Sequence, residues 1–298
     1  MNNPLRNSFK IQIQSLYLFE FQDFITELFM LRYGTENFIP PREIKDKGAD
    51  GIITDKNMVI ACYGPKKIDK DRYTQKIAND FKLYSDNWQT DYKNWMFVTN
   101  NNIPEWGITK INSLKKDSLQ IGLDNIVLFV EELPSYQKRE LGNYLNINKD
   151  LFALDYLKEI IEDLIKDASF TNDNVEYTKQ IYFPDKVSLN FDQEDIPFIF
   201  QEYDSYFEKG VFNEISNLLF GYDDEDFEKL KHRIIYDFNN KTGNAKGRLY
   251  QLTEKYLDKY SNENDDEYLY YIRAILIYLF EQCLIGIKTI GENDITTP

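Results

Sequence analysis

An α/β N-terminal domain built on a small mixed sheet, followed by a mostly α-helical C-terminal domain, is the fold class that the amino-acid sequence predicts. Three observations carry that expectation. Across residues 1–146, short apolar runs of strand length alternate with segments of helical period. From 196 to 287 nearly every segment has helical period. Charge divides at the same place. Residues 1–146 hold 19 Lys and Arg against 19 Asp and Glu, which leaves 16 basic and 31 acidic residues in 147–298, so the second part carries the whole net charge of −15. The expected units are therefore 1–146 and 147–298, with the boundary in the stretch 133–149 that contains Pro134, Gly142 and Asn143. Each is long enough to bury a core. The 22 Tyr and 21 Phe exclude a disordered chain.

In chain order, 9–13 alternates apolar and polar residues and is expected to add a strand to a sheet edge. Residues 15–33 carry Phe21, Phe24, Ile25, Leu28 and Phe29 as the stripe of a helix that stops near Gly34. Glu20, Asp23 and Glu27 recur at i, i+3 and i+7, on the neighbouring face. Residues 35–47, with Pro40 and Pro41, read as an extended link. Two strands follow, one from Gly51 and one from Met58, joined by a turn over 54–57. The unbroken apolar character of Met58 to Cys62 suits a strand covered on both faces, and Gly64-Pro65 ends it. Helices over 73–85 and 108–119 connect two further strand-like runs, 95–99 and 126–130, which makes parallel crossovers.

The second part opens with a helical stripe over 151–165, a polar loop over 171–177, and short extended pieces over 179–184 and 186–190. Helices are expected over 196–209, 212–220, 224–238, 246–260 and 265–287. The stretches 221–224 and 261–264 separate them and offer N-caps. The last helix is apolar nearly all round from Tyr268 to Phe280 and must be covered on every side, either as the central core helix of the second part or, in the competing reading, by a partner, since tyrosine-rich faces are common in interfaces.

The chemistry concentrates at Lys47-Gly48-Ala49-Asp50-Gly51-Ile52-Ile53. A carboxylate flanked by glycines stands on backbone that a metal ion and a phosphate can approach closely. The competing reading is an ordinary hairpin in which Asp50 only shapes a turn.

An amphipathic helix holding "FEFQDFITELF", a short link, then "KGADGII" and a buried strand resembles the restriction-endonuclease-like nuclease fold, the PD-(D/E)xK superfamily. The likeness covers roughly the first half of the chain. It implies that Asp50 binds magnesium, that the next strand supplies Glu or Gln, any residue, then Lys, and that a carboxylate of the first helix assists. Glu20 and Glu27 are the acidic candidates on that helix. At the place of Glu-x-Lys stands Ala61-Cys62-Tyr63. Ala61 offers a metal only its backbone carbonyl, and Tyr63 does not replace a lysine cation. Lys66 and Lys67, just after Gly64-Pro65, are the candidates to supply that charge. The runs "ACYGPKK", "KIANDF", "NWMFVTN" and "DKVSLNF" are similar to the small effector subunits of ABC-three-component (Lamassu-type) anti-phage defence systems. That likeness implies a helical C-terminal domain docked on an SMC-like ABC ATPase.

The resemblance thus implies a magnesium-dependent DNA endonuclease with Asp50, Glu20, Glu27, Lys66 and Lys67 as site residues, and Asp50, Glu27 and the Ala61 carbonyl at the metal. Activation would come with assembly on the partner, including a homo-oligomer. The alternative is a non-catalytic adaptor with a degenerate nuclease fold. The balanced charge of 1–146 is compatible with a basic DNA groove, of which Lys66, Lys67, Lys70, Arg72 and Lys76 are the densest part, and equally with a cluster that only solubilises a loop and the start of a helix. The acidic part is expected to hold a protein rather than DNA.

Other classes are excluded or disfavoured by composition. One histidine, His232, lies between Lys231 and Arg233, which argues against a Ser-His-Asp triad or a two-histidine zinc site. Neither a GxxxxGK[ST] loop nor a GxGxxG after a strand occurs. Cys62 and Cys283 are too few for a disulfide scaffold and suit a reducing cytoplasm. No signal peptide is read at the start, and the longest apolar run is too short to span a membrane.

Overall fold

The structure is a computed structural model and describes residues 1–40, 47–168, 181–260 and 266–287. The chain divides into two units, Met1–Leu151 and Phe152–Pro298. The break falls later than the expected 146/147. Leu145 and Ile147 are buried after the last helix of the first unit, and Asn2 Nδ2 donates to Leu151 O at 3.2 Å.

The first unit contains helices α1 (Asn3–Ser15) and α2 (Leu18–Tyr33), strands β1 (Phe38–Ile39), β2 (Gly51–Ile53) and β3 (Met58–Tyr63), then α3 (Lys70–Asn87), β4 (Asn94–Thr99), α4 (Glu105–Leu114), β5 (Leu119–Ile121), α5 (Leu123–Glu131) and α6 (Ser135–Tyr144). The five strands form one sheet in the order β1-β2-β3-β4-β5. The β1–β2 and β2–β3 pairs are antiparallel, with Phe38 opposite Ile53 and Gly51 opposite Ile60. The β3–β4 and β4–β5 pairs are parallel, with Ala61 opposite Phe97 and Phe97 opposite Gln120. The four-residue turn 54–57 suffices for the antiparallel step from β2 to β3, whereas each parallel step is crossed by a helix, α3 and then α4. β3 lies inside the sheet, which is why it reads as an unbroken apolar run.

One face of the sheet is covered by α3 and α4. Ile52, Val59, Ala61, Trp95 and Phe97 pack there against Tyr73, Ile77, Tyr84 and Ile111. Helix α2 packs against β3 and β1 through Phe21, Phe24, Ile25, Leu28 and Phe29, all buried. Fully burying one such side chain contributes about 1.5–3 kcal/mol.

Four expectations are corrected. Residues 9–13 are not an edge strand. They lie in α1, where Asn2 accepts the Leu5 N–H at 2.8 Å as N-cap and Leu5, Phe9 and Ile13 share the buried face. Residues 126–130 are not a strand either. Leu123, Ile126, Val127 and Val130 are the buried stripe of α5, which packs against α1, while Leu128 stays exposed. A short apolar run of this kind does not distinguish a buried strand from a buried helix, and the spacing over a longer window does. The fifth strand is instead β5, and its Leu119 was expected at the end of a helix that in fact stops at Leu114. Finally, 186–190 is helical, within α8 (Phe183–Asn190). The expected link 35–47 contains β1, with 41–46 outside the described residues.

The second unit continues with α7 (Ala153–Lys166), α8, α9 (Ile196–Glu208), α10 (Val211–Phe220), α11 (Asp224–Asn239), α12 (Ala245–Leu257) and α13 (Asp266–Glu281). The expected loop 171–177, residues 179–180 of the extended piece and the separator 261–264 lie outside the described residues. Helix α13 packs against α7, α12, α10 and α9, with nine of its sixteen residues buried. It is the central core helix that its all-round apolar character implies. Polar side chains join the helices as well. Asp237 of α11, buried, accepts from Arg233 Nε (2.6 Å), Lys255 Nζ (2.6 Å) and Tyr256 Oη (2.9 Å). Burial raises the Asp237 carboxyl pKa, but these hydrogen bonds outweigh it and the net direction is downward. No helix among the described residues is long and apolar enough to cross a membrane.

Candidate functional site

Asp50 stands at the entry of β2. Its N–H donates to Ile60 O at 2.8 Å and its Oδ2 accepts the Cys62 N–H at 2.6 Å, so the carboxylate clasps the entry of β2 to the end of β3. The approach to it depends on Gly48. That residue has φ +84°, and a Cβ there would lie 2.4 Å from the Leu83 Cβ of α3. Trp88 Nε1 also donates to Lys47 O at 3.2 Å, so the loop into Asp50 is seated directly on α3.

Helix α3 supplies the remaining charge. Tyr73, Ile77, Asp80 and Tyr84 form its buried face at i, i+4, i+7 and i+11. Asp80 is 4% exposed and its Oδ1 accepts from Lys76 Nζ at 2.6 Å. Burial lowers the Lys76 pKa, but the Asp80 charge and hydrogen bond, followed by Asp50, outweigh it and hold the ammonium form above its usual range. The Cys62 thiol is pushed well up, first by burial and then by the Asp50 charge, with Lys76 opposing and Asp80 adding. Asp50, Cys62, Lys76 and Asp80 thus share one electrostatic neighbourhood. Because the thiolate is the reactive form, Cys62 is not equipped as a nucleophile.

The other expected site residues fall elsewhere. Ala61 is fully buried among Tyr73, Ile77 and Phe97 on the α3 side of the sheet. Tyr63 packs edge-on against Tyr73 at 5.3 Å, and Tyr73 meets Trp106 at 5.3 Å and Phe97 at 5.8 Å. Aromatic rings therefore fill the space next to the two positions at which the resemblance implies Glu and Lys. Glu20 and Glu27 are exposed on α2. Together with Asp23 they act on Tyr144 of α6, whose phenol is pushed up first by burial and then by these three charges. The charges acting on Lys76 and Cys62 include neither glutamate. Lys66 and Lys67 are exposed in the loop between β3 and α3, and Lys66 Nζ sits 5.7 Å from the centre of the Tyr17 ring. Lys70 and Arg72 are exposed at the start of α3, so the basic cluster is a surface feature, with Lys76 its inner member.

Lys76 stands out in the sequence only as part of the basic cluster, and Asp80 and the pairing of the two escaped the residue-by-residue reading, although a signal for them exists. A carboxylate in the middle of the buried stripe 73, 77, 80, 84 is costly unless paired, and its lysine stands one turn before it. Among the described residues no three His, Cys, Asp or Glu side chains gather as a metal-binding group. The acidic part of the neighbourhood is the pair Asp50 and Asp80. That donor set suits magnesium, which takes one or two protein carboxylates and completes its shell with water and phosphate oxygens. Comparison of the chain with family models, with curated proteins and with solved structures finds no match.

Proposed function

We propose that this chain is a cytoplasmic effector of a bacterial anti-phage defence complex. In this reading its first unit is a magnesium-dependent DNA endonuclease of restriction-endonuclease-like fold, and its helical unit docks on an SMC-like ABC ATPase. The observation that carries the chemistry is the part-buried Lys76–Asp80 pair at 2.6 Å on α3, whose ammonium also feels the charge of Asp50, the carboxylate fixed to Cys62 N–H at 2.6 Å. Two carboxylates and an ammonium are the charge types that phosphodiester hydrolysis asks for. Magnesium held by Asp50 and Asp80 would polarise the phosphate and acidify a water. Lys76 donates to a phosphate oxygen as charge develops there, the part first assigned to Lys66 and Lys67. Cys62 contributes its N–H, which orients the Asp50 carboxylate. The defence context and the ATPase partner rest on the sequence resemblance.

A second reading has its own observation. The complete burial of Ala61 and the aromatic packing around Tyr63 favour a non-catalytic adaptor that keeps the fold as a scaffold. Supercoiled-plasmid nicking separates the two, with the chain alone and with the ATPase, in magnesium and in EDTA. The nuclease reading expects little cutting by the chain alone and magnesium-dependent cutting by the complex. Lys76→Met and Asp50→Ala should each lower it by roughly 10²–10³-fold, the loss typical of one removed electrostatic stabiliser. Cutting that survives Asp50→Ala overturns the site. A complex that assembles and does not cut supports the adaptor.

A further inference from the structure

Helix α9 is rich in apolar residues and poorly covered. It carries Phe198, Phe200, Tyr203, Tyr206 and Phe207, yet only Ile199 and Tyr206 of its thirteen residues are buried. Its inner side is fixed: Glu202 receives two bonds from Arg273 of α13, at 2.9 and 2.6 Å, and Tyr206 Oη donates to Glu202 at 3.0 Å. Its outer side is open among the described residues. Pro197, Gln201, Asp204 and Glu208 are exposed along it, and Phe207 is 63% exposed at the flank. The first four, with Phe200, Ser205 and Lys209, line a shallow groove of about 490 Å³. Lys209 at its end directs its ammonium to the Tyr270 ring, 5.1 Å from the centre, and so is turned to a partner within the unit.

We infer that the outer face of α9 docks a basic amphipathic helix of the partner protein, with apolar residues against Phe207 and Pro197 and Lys or Arg against Asp204 and Glu208. The inference rests on reading the helical unit as the docking element, and names its face. Charge complementarity chooses the occupant. The groove offers two carboxylates one turn apart on the half of the chain that holds 31 acidic against 16 basic residues. A thirteen-residue helix offers about 20 Å of length, enough for three to four turns of a partner helix packed along it. A second copy is disfavoured by the same arithmetic, since like-charged helical halves repel.

The test uses the full chain and a fluorescent synthetic helix with leucine on one face and lysine on the other. Co-purification with the SMC-like ATPase is read in parallel. Asp204→Lys with Glu208→Lys, at exposed carboxylates, should weaken peptide binding by about tenfold or more without lowering the melting temperature, and Phe207→Ser, which also removes the ring stacked on Tyr203, should weaken it by several-fold. Glu254→Lys with Asp258→Lys makes the same change in net charge on α12 and its end, and should bind within about twofold of the parent. Equal weakening by the two reversals would mean general acidity and overturns the α9 site. Failure of the parent chain to bind the lysine–leucine helix overturns the basic-partner chemistry. Self-association that Phe207→Ser dissolves assigns the face to a second copy and also overturns it. An ATPase that co-purifies with the parent and equally with the α9 reversal defeats this inference alone, whereas one that never co-purifies defeats the docking reading beneath it.

Discussion

Replacing Asp50 by alanine and by asparagine separates its structural part from its chemical one. The Asp50 carboxylate accepts the Cys62 N–H at 2.6 Å, next to a buried side chain. A hydrogen bond to a charged group contributes about 1.5–3 kcal/mol, and alanine leaves the N–H without that acceptor. The expected loss for Asp50→Ala is therefore about 2 kcal/mol. For a unit of this size that is a fall of roughly 4–8 °C in the Tm of the transition in which the first unit unfolds. Asparagine keeps an oxygen in place but not the charge, and should cost about half as much, since neutral bonds are roughly half as strong. Both variants also remove a charge that raises the Cys62 pKa, so the thiol should deprotonate more readily in each. Scanning calorimetry and thiol titration read the two effects, and plasmid nicking by the complex should be lost in both. The clasp reasoning is refuted if Asp50→Ala melts with the parent, or if asparagine is as destabilising as alanine.

Three further outcomes are expected. Ala61→Glu, which restores the acid that the resemblance implies, should destabilise the first unit by at least about 3 kcal/mol and add no cutting, because position 61 is fully buried among aromatic rings; a urea midpoint equal to the parent's contradicts this. Gly48→Ala should cost about 1–3 kcal/mol, from φ +84° and the 2.4 Å approach to Leu83, and unfolding of the purified variant measures it. Asp237→Ala should cost the helical unit about 1.5–3 kcal/mol by removing the buried carboxylate that Arg233 and Lys255 pair with and that accepts from Tyr256, while both cations still reach solvent. The Asp237 pKa is lowered on folding, so its contribution is present above the unfolded value of 3.8 and is lost as pH falls through the folded value. Acid titration of stability should accordingly show less dependence on pH below about 4 in Asp237→Ala than in the parent.

Where hydrophobic period and chemistry agreed over a long window, the sequence alone determined the outcome. The α2 stripe, the buried run of β3, the parallel crossover through α3 and the central position of α13 all follow from local spacing, because burying those faces leaves few arrangements. Asp50 stood out for the same local reason, the glycines around it. Short windows were ambiguous: 9–13 alternates like a strand and 126–130 is β-branched, yet both became helices once Leu5 and Leu123 extended their stripes to helical spacing. The grouping of Asp50 with Lys76 and Asp80 was decided only by the tertiary structure. Lys66 and Lys67 are closer to Asp50 in sequence, but they lie in an exposed loop, whereas α3 returns across the sheet and carries Lys76 and Asp80 back to it. Glu20 and Glu27 went the other way. The face of α2 that buries its phenylalanines turns these acids outward beside Tyr144. Sequence order sets which side chains share a face of one helix; which two faces meet depends on how the sheet and its crossovers pack, and that depends on contacts between residues far apart in the chain.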